Sequence, residues 1–312
     1  MDISIVVPLY NERDNLAALH AELARTLGDL GRSYEVLFVD DGSNDGSLEV
    51  LRKIAAEDSH VRVLRLARNS GQTAALACGF AHTGGDTVIA IDADGENDPA
   101  DIPRLLPPLQ NGYDLVSGWR TQRWRGSTLT RRLPSQAANS LISRITGVPL
   151  HDYGCTLKAY RGDLARGLRL YGEMHRFVPA IAAEQGARIA EVQVNFRPRT
   201  SGSSKYGPGR ILRTLLDLVT VKFLSGYSTR PIQVFGTIGF VLGALGSLWT
   251  AWLVFEKIVL GYSLGDRPAL LLAVLLVVVG VQFVSIGLLG EMLARTYHES
   301  QGKQTYVIKE EF

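Results

Sequence analysis

Two long stretches without a charged residue constrain this fold most: Pro231–Phe255, between Arg230 and Glu256, and Pro268–Gly290, between Arg267 and Glu291. Each exceeds the roughly 20 apolar residues that cross a bilayer's hydrocarbon core as a helix. The sequence therefore predicts two transmembrane helices. Trp249, Trp252 and Tyr262 lie near the intervening loop, where an interfacial aromatic belt belongs. Basic residues are denser before the first stretch (Arg210, Arg213, Lys222, Arg230) and after the second (Arg295, Lys303, Lys309) than between them (Lys257, Arg267). The positive-inside rule then puts both flanks in the cytoplasm and the short loop outside. Two hairpinned spans leave no room for a channel or carrier in one protomer, so any chemistry belongs to the cytoplasmic domain. Gly239-x-x-x-Gly243 in the first span permits close helix packing, and a homo-oligomer through the spans is one use of it.

The remaining composition is that of a folded, reduced domain. Of 312 residues, 46% are hydrophobic and 21% charged, which excludes a disordered chain. The net charge of +2, from 33 Lys+Arg against 31 Asp+Glu, gives no reason to expect a nucleic-acid partner. Two cysteines, Cys78 and Cys155, build neither a disulfide framework nor a four-ligand zinc site. The opening apolar run, Ile3–Leu9, is too short for a signal peptide and has no basic segment before it, so it reads as a strand.

Short β-branched runs at Ile3–Leu9, Tyr34–Val39, Val61–Leu66, Thr87–Ile91 and Asp114–Val116 alternate with helical patterns such as Leu16, Leu19, Leu23 and Leu27, or Leu48, Leu51 and Ile54. That alternation predicts βαβ units and a mostly parallel sheet covered on both faces. Trp119–Arg132 reads as a basic loop, followed by a helix over about 134–145, a helix near 176–185 and a strand at 187–196. The loop 197–209 is rich in Arg, Ser and Gly. Residues 210–230 read as an amphipathic helix lying in the headgroup region, a packed domain helix being the alternative on the same periodicity. The expected division is a domain over 1–209, the interfacial helix 210–230, the hairpin 231–294 and a cytoplasmic tail 295–312.

Ligands of parallel sheets sit beyond the carboxyl ends of the strands. Three polar segments occupy that position: Pro8-Leu9-Tyr10-Asn11-Glu12, Asp40-Asp41-Gly42-Ser43-Asn44-Asp45-Gly46 and Asp92-Ala93-Asp94-Gly95-Glu96-Asn97-Asp98-Pro99. Asp92 and Asp94, on a turn leaving a buried strand, can converge with a diphosphate on one Mg²⁺ or Mn²⁺, which accept oxygen ligands and keep positions open for phosphate. Asp-x-Asp alone also fits a helix-capping turn, and Asp40-Asp41-Gly42-Ser43 alone fits an ordinary turn.

In order and spacing, VVPLYNE (6–12), VDDGSNDGS (39–47), RNSGQTAA (68–75), DADGENDP (92–99), SGWR (117–120), HDYGCTLKAYR (151–161) and RTSGSSKYG (199–207) resemble the family 2 glycosyltransferases of the GT-A (Rossmann-like) fold. The resemblance is to the polyprenyl-phosphate subgroup, related to dolichol-phosphate mannose synthase and to bacterial undecaprenyl-phosphate sugar transferases. It implies a nucleotide-sugar donor held by Pro8, Tyr10, Glu12, Asp41, Asp92 and Asp94, with Asp92 and Asp94 binding Mg²⁺ or Mn²⁺ on its diphosphate. Arg120 matches the arginine after the fifth strand, and Arg199 and Lys205 match the Arg…Ser-Lys pair at the phosphates. Asp94, Arg120 and Lys205 are thus the expected catalytic residues. One departure stands out: related enzymes usually read Asp-x-Asp-Leu-Gln, whereas Gly95-Glu96 follows here, and Glu96 can add a third oxygen to the metal.

A polyprenyl phosphate acceptor is anionic at pH 7 and needs no general base, but it needs cations to approach a nucleotide diphosphate. Arg120, Arg123, Arg125, Arg131, Arg199 and Lys205 supply the residue types, with Arg123 and Arg125 equally suited to anionic headgroups. The expectation is an inverting, metal-dependent sugar transfer, from a UDP-sugar by the bacterial character of the resemblance, at the cytoplasmic face of a bacterial inner membrane. Two other readings remain: a degenerate, non-catalytic lipid-binding scaffold, and a polysaccharide synthase of the same fold, whose Gln-x-x-Arg-Trp signature is not matched by the spacing of Gln122-Arg123-Trp124. His151 and His175 read as structural, Asp152 as orienting an arginine or the sugar, Cys155 as packed, and Gln72 and Thr73 as capping a helix.

Overall fold

A computed structural model of the protein describes residues 1–122, 139–140, 142–144, 146–170, 174–197, 231–261, 268–300 and 306–312. Two compact units emerge: residues 1–218 with 304–312, and residues 219–303.

In the first unit, β1 (Ile3–Leu9), β2 (Tyr34–Asp40), β3 (Val61–Leu66), β4 (Thr87–Ala90), β5 (Leu115–Arg120), β6 (Lys158–Arg161), β7 (Ile189–Val194) and β8 (Ile308–Glu311) form one sheet in the order β7-β5-β6-β4-β1-β2-β3-β8. β6 and β8 run against their neighbours and the rest are mutually parallel. Every residue of β1 is buried, as a strand covered on both faces must be. Around the strands lie α1 (Arg13–Asp29), α2 (Ser47–Glu57), α3 (Gln72–His82), α4 (Ile102–Gln110), α5 (Gly162–Gly167) and α6 (Val178–Glu184). The leucines expected to face the core do so: Leu16, Leu19, Leu23 and Leu27 of α1, and Leu48, Leu51 and Ile54 of α2, are buried.

Helix α3 approaches the sheet more closely than any side chain would allow. A Cβ on Gly79 would stand 2.3 Å from Val6 Cγ1, so glycine there lets the helix settle onto β1. Strand β1 is flanked by β2 on one side and β4 on the other, so the strand order reverses at β1 and opens a crevice beyond its carboxyl end.

Three features differ from the sequence expectation. β5 runs on through Trp119 to Arg120, because β7 pairs with it as far as Arg120↔Val194. Arg120 therefore ends a strand instead of opening a loop. HDYGCTLKAYR contributes β6, inserted antiparallel between β4 and β5. Residues 306–312, read as tail, supply β8 at the edge of the sheet.

The second unit contains α7 (Pro231–Leu260) and α8 (Pro268–Ser300). Both are long and apolar enough to cross a membrane, over Phe235–Leu260 and Pro268–Gly290. Phe240 is 75% exposed, Ile258 76% and Leu271 74%, an outward apolar surface suited to lipid. The helices pack antiparallel through glycines. A Cβ on Gly239 would meet Gly280 O at 2.5 Å, and one on Gly246 would meet Ala273 O at 2.7 Å. Gly239 thus serves a crossing within the chain. The expected helix over 210–230 lies outside the described residues.

Candidate active site

Three strand ends are laced together at the crevice. Asp41 N–H extends the sheet by donating to Leu9 O at 2.9 Å. Asn11 takes a left-handed conformation (φ 56°), its N–H donating to Ser43 Oγ and its side-chain oxygen accepting from Asn44 N–H, each at 2.9 Å. Asp40 Oδ1 accepts from Ser43 N–H at 3.0 Å and sets the turn. Asp41, 3% exposed, accepts from Ser70 N–H at 2.7 Å and Gly71 N–H at 2.8 Å, on the loop after β3. Burial raises its carboxyl above the usual range, these two N–H groups pull it back, and Asp40 adds to the rise. Gly42 (φ +74°) lies against the backbone of Arg68 and Asn69, where a Cβ would stand 3.0 Å away, so the two loops touch only because it has no side chain. Tyr10 and Glu12 are half-buried beside them, and Glu12 Oε2 accepts from Asn15 at 2.8 Å.

The next residue, Gln72 at the start of α3, reaches the second acidic segment. Gln72 Nε2 donates to Asp92 Oδ1 at 2.8 Å, so residues 70–72 contact Asp41 and Asp92 together. Asp92 lines a pocket with Pro8, Gln72, Thr156, Lys158 and His175. Burial, and then the charge of Asp94, push its carboxyl up to about 7, against the pull of Thr156, Arg120 and Lys158. A half-buried carboxylate destabilised by a second, buried one is a donor set that a hard divalent cation relieves, so the pair fits such an ion. Asp94 also accepts from Glu96 N–H at 3.0 Å, which shapes the turn.

Glu96 goes elsewhere. Its Oε2 lies 3.2 Å from a terminal nitrogen of Arg120, and among the described residues no three His, Cys, Asp or Glu side chains gather as a metal cluster. The expected trio of Asp92, Asp94 and Glu96 is therefore not assembled, because the buried guanidinium draws the third carboxylate towards β5.

Arg120, 4% exposed, is held bidentately by Asp152, Nε to Oδ2 at 2.8 Å and a terminal nitrogen to Oδ1 at 3.2 Å. Burial alone would lower its pKa, but the Asp152 charge and hydrogen bond, helped by Glu96, raise it well above the ordinary value. Asp152 is fixed in turn by Glu191 of β7, whose Oε1 accepts from His151 N–H at 2.9 Å and Asp152 N–H at 3.1 Å. His151 bonds Glu191 Oε2 at 2.7 Å and stacks on Trp119, with ring centres 4.1 Å apart. His175 bonds Thr73 Oγ1 at 2.8 Å. Both histidines are thus hydrogen-bonded, and His175 also lines the pocket of Asp92.

Sequence reasoning missed Lys158, 2% exposed on β6, whose Nζ donates to the carbonyls of Cys155 and Tyr153 and whose pKa burial lowers. A lysine inside the apolar run Leu157–Tyr160 was the available signal. It also gave Gln72 only a capping role, and Glu191 none. Arg123, Arg125, Arg131, Arg199 and Lys205 lie outside the described residues.

The chain is similar to known proteins. Residues 4–168 match the sequence profile of "Glycosyl transferase family 2". The chain is 41% identical over its whole length to dodecaprenyl-phosphate galacturonate synthase of Rhizobium johnstonii, covering 93% of that protein. It is 38% identical to undecaprenyl-phosphate 4-deoxy-4-formamido-L-arabinose transferase of Pseudomonas syringae, over 98% of this chain and 90% of the relative. Among solved structures, mannosyl-3-phosphoglycerate synthase of Rubrobacter xylanophilus shares the fold with TM-score 0.56 and 19% identity, over 72% of this chain and 74% of that one. Glucosyl-3-phosphoglycerate synthase of Mycobacterium tuberculosis, crystallised with Mn²⁺ and UDP-glucose, does so with TM-score 0.54 and 22% identity, over 71% and 78%.

Proposed function

The chain belongs to glycosyl transferase family 2, and from that premise we propose that it moves a sugar from a nucleotide-sugar onto a polyprenyl phosphate at the cytoplasmic face of a bacterial inner membrane. The observation that carries this reading is the segment 70–72, from the loop after β3 into the first residue of α3, which ties Asp41 to Asp92 across the crevice where the strand order reverses. A nucleotide diphosphate held in that crevice would meet both acids. The full-length relatives named for polyprenyl-phosphate acceptors support the acceptor class, and the two apolar helices support the membrane setting.

Pro8, Tyr10, Glu12 and Asp41 would hold the nucleoside, and Asp92 and Asp94 a Mg²⁺ or Mn²⁺ ion. That ion supplies charge neutralisation on the diphosphate leaving group. The Mn²⁺ and UDP-glucose bound by the mycobacterial enzyme support a divalent ion and a UDP-sugar. The lipid phosphate oxygen attacks the anomeric carbon, the carbon–oxygen bond to the diphosphate breaks, and its electron pair leaves with the nucleoside diphosphate. Attack from the opposite side inverts the centre. Arg120 holds the Asp92–Glu96 turn against β5 through Glu96, so its role is to position the acids. Direct contact with the lipid phosphate falls to Arg123, Arg125, Arg131, Arg199 and Lys205.

The test is to incubate purified protein with Mn²⁺ or Mg²⁺, undecaprenyl phosphate and a panel of nucleotide sugars, and to identify the lipid product by mass spectrometry. One lipid-linked sugar is expected. Folded protein that yields none with any donor contradicts the reading.

A further inference from the structure

Strand β8 is bound to the edge of β3 through both backbone and side chains. Val63 and Phe312 exchange both backbone hydrogen bonds, at 2.7 and 3.1 Å, and Ala67 N–H donates to Val307 O at 2.8 Å. Arg62 pairs with Glu311 at 2.8 Å, Arg65 with Glu310 at 3.2 Å, and Arg52 with Glu310 as well. The Arg52 guanidinium also lies 5.0 Å over the ring of Phe312, and Tyr306 is 7% exposed.

What this edge supports is the site. Ala67 begins the loop whose Ser70 and Gly71 N–H groups hold Asp41 and whose Gln72 reaches Asp92. Arg65 stands between the tail and the acidic turn: one terminal nitrogen meets Glu310, while Nε lies 3.9 Å from Asp40 Oδ2. Among the described residues neither that Nε nor that oxygen has a hydrogen-bond partner, although both atoms are buried. Drawn fully to Asp40, Arg65 would pull on the carboxylate that shapes the Asp40–Ser43 turn; Glu310 holds it back. We infer that β8 is a positioning element for nucleotide binding, with Val307 O fixing the start of the 67–72 loop and Glu310 restraining Arg65. The inference rests on the glycosyltransferase reading for its ligand and on the fold for its mechanics.

The test uses the intact chain in detergent, a chain ending at Thr305, and E310Q. Each is assayed for binding of UDP, GDP, CDP and ADP with Mn²⁺ and for amide hydrogen exchange. The truncated chain should bind the preferred nucleotide about tenfold more weakly, on the order of one net hydrogen bond's contribution. It should lose exchange protection at Ser70 and Gly71, and the peptide YVIKEEF added in trans should restore both. E310Q should raise KM for the donor while leaving KM for the lipid unchanged. An unchanged nucleotide affinity and unchanged protection after truncation would overturn the inference, as would a loss the peptide fails to restore. If the intact chain binds none of the four nucleotides, the glycosyltransferase reading fails first, and the exchange data alone then decide whether β8 orders the loop.

Discussion

Arg120 and Asp152 form a buried bidentate pair, Nε to Oδ2 at 2.8 Å and a terminal nitrogen to Oδ1 at 3.2 Å, at the end of the strand that borders the acidic turn. Removing one partner of such a pair leaves a desolvated charge. Asp152→Ala should therefore destabilise the protein by about 3–5 kcal/mol, while Asp152→Asn, which keeps one acceptor, should cost less. Chemical denaturation of the first unit's fluorescence transition measures both. A loss under about 1 kcal/mol for the alanine variant would show that the pair does not anchor this end of β5.

Asp94 is expected to matter for chemistry more than for stability. An ion on the diphosphate is worth several kcal/mol in the transition state, so Asp94→Asn should lower kcat by about a hundredfold or more. EDTA should abolish turnover, and Mn²⁺ or Mg²⁺ should restore it. Undiminished transfer by the variant would favour a site that works without these acids.

Gly79 should tolerate no side chain. Its added Cβ would lie 2.3 Å from Val6 Cγ1 and 3.3 Å from Val39 Cγ2, both buried in the sheet. Gly79→Ala should cost about 1–3 kcal/mol through overpacking, despite alanine's better helix propensity. A thermal melt of the pair of proteins decides it, and an equal or higher midpoint for alanine would refute the close approach of α3.

The thiols should be silent in the folded protein. Burial pushes Cys78 up to about 12, and burial also raises Cys155. Thiolates are the reactive form, so a disulfide reagent at pH 8 should label neither cysteine until denaturant is added.

Glu35 sets an acid limit on stability. Burial alone would raise its carboxyl, but hydrogen bonds from Gly84 N–H (2.8 Å), Ser4 Oγ (2.5 Å) and Arg62 (3.0 Å) bring it below the usual 4.5. A lowered folded pKa contributes stability that is full above the unfolded value and is lost as pH falls through the folded one. The stability advantage over Glu35→Gln should be constant near neutrality and shrink below about pH 4.5. A gap that widens in acid would reverse the sign.

The parallel strands and amphipathic helices were legible because the apolar periods of Ile3–Leu9, Leu16–Leu27 and Leu48–Ile54 are the physical cause of their burial. The apolar helices α7 and α8 were legible for the same reason, length without charge. Asp41, Asp92 and Asp94 could be placed at strand ends from order alone. The partners of Glu96, Gln72 and Glu191 could not, because each contact joins residues far apart in the chain: Glu96 with Arg120, Gln72 with Asp92, Glu191 with Asp152. Strand β8 was missed because Ile308–Glu311 carries two acids and little apolar character; its place is set by arginines on β3 and α2 that no local pattern reveals.

The most direct measurement is which nucleotide leaves during transfer. With the preferred donor and undecaprenyl phosphate, attack of the lipid phosphate on the anomeric carbon predicts one nucleoside diphosphate released per lipid-linked sugar, and a product that keeps a single phosphorus. Release of nucleoside monophosphate with a lipid diphosphate product would mean that a phosphoryl bond breaks instead, and would contradict the role assigned to Asp92 and Asp94.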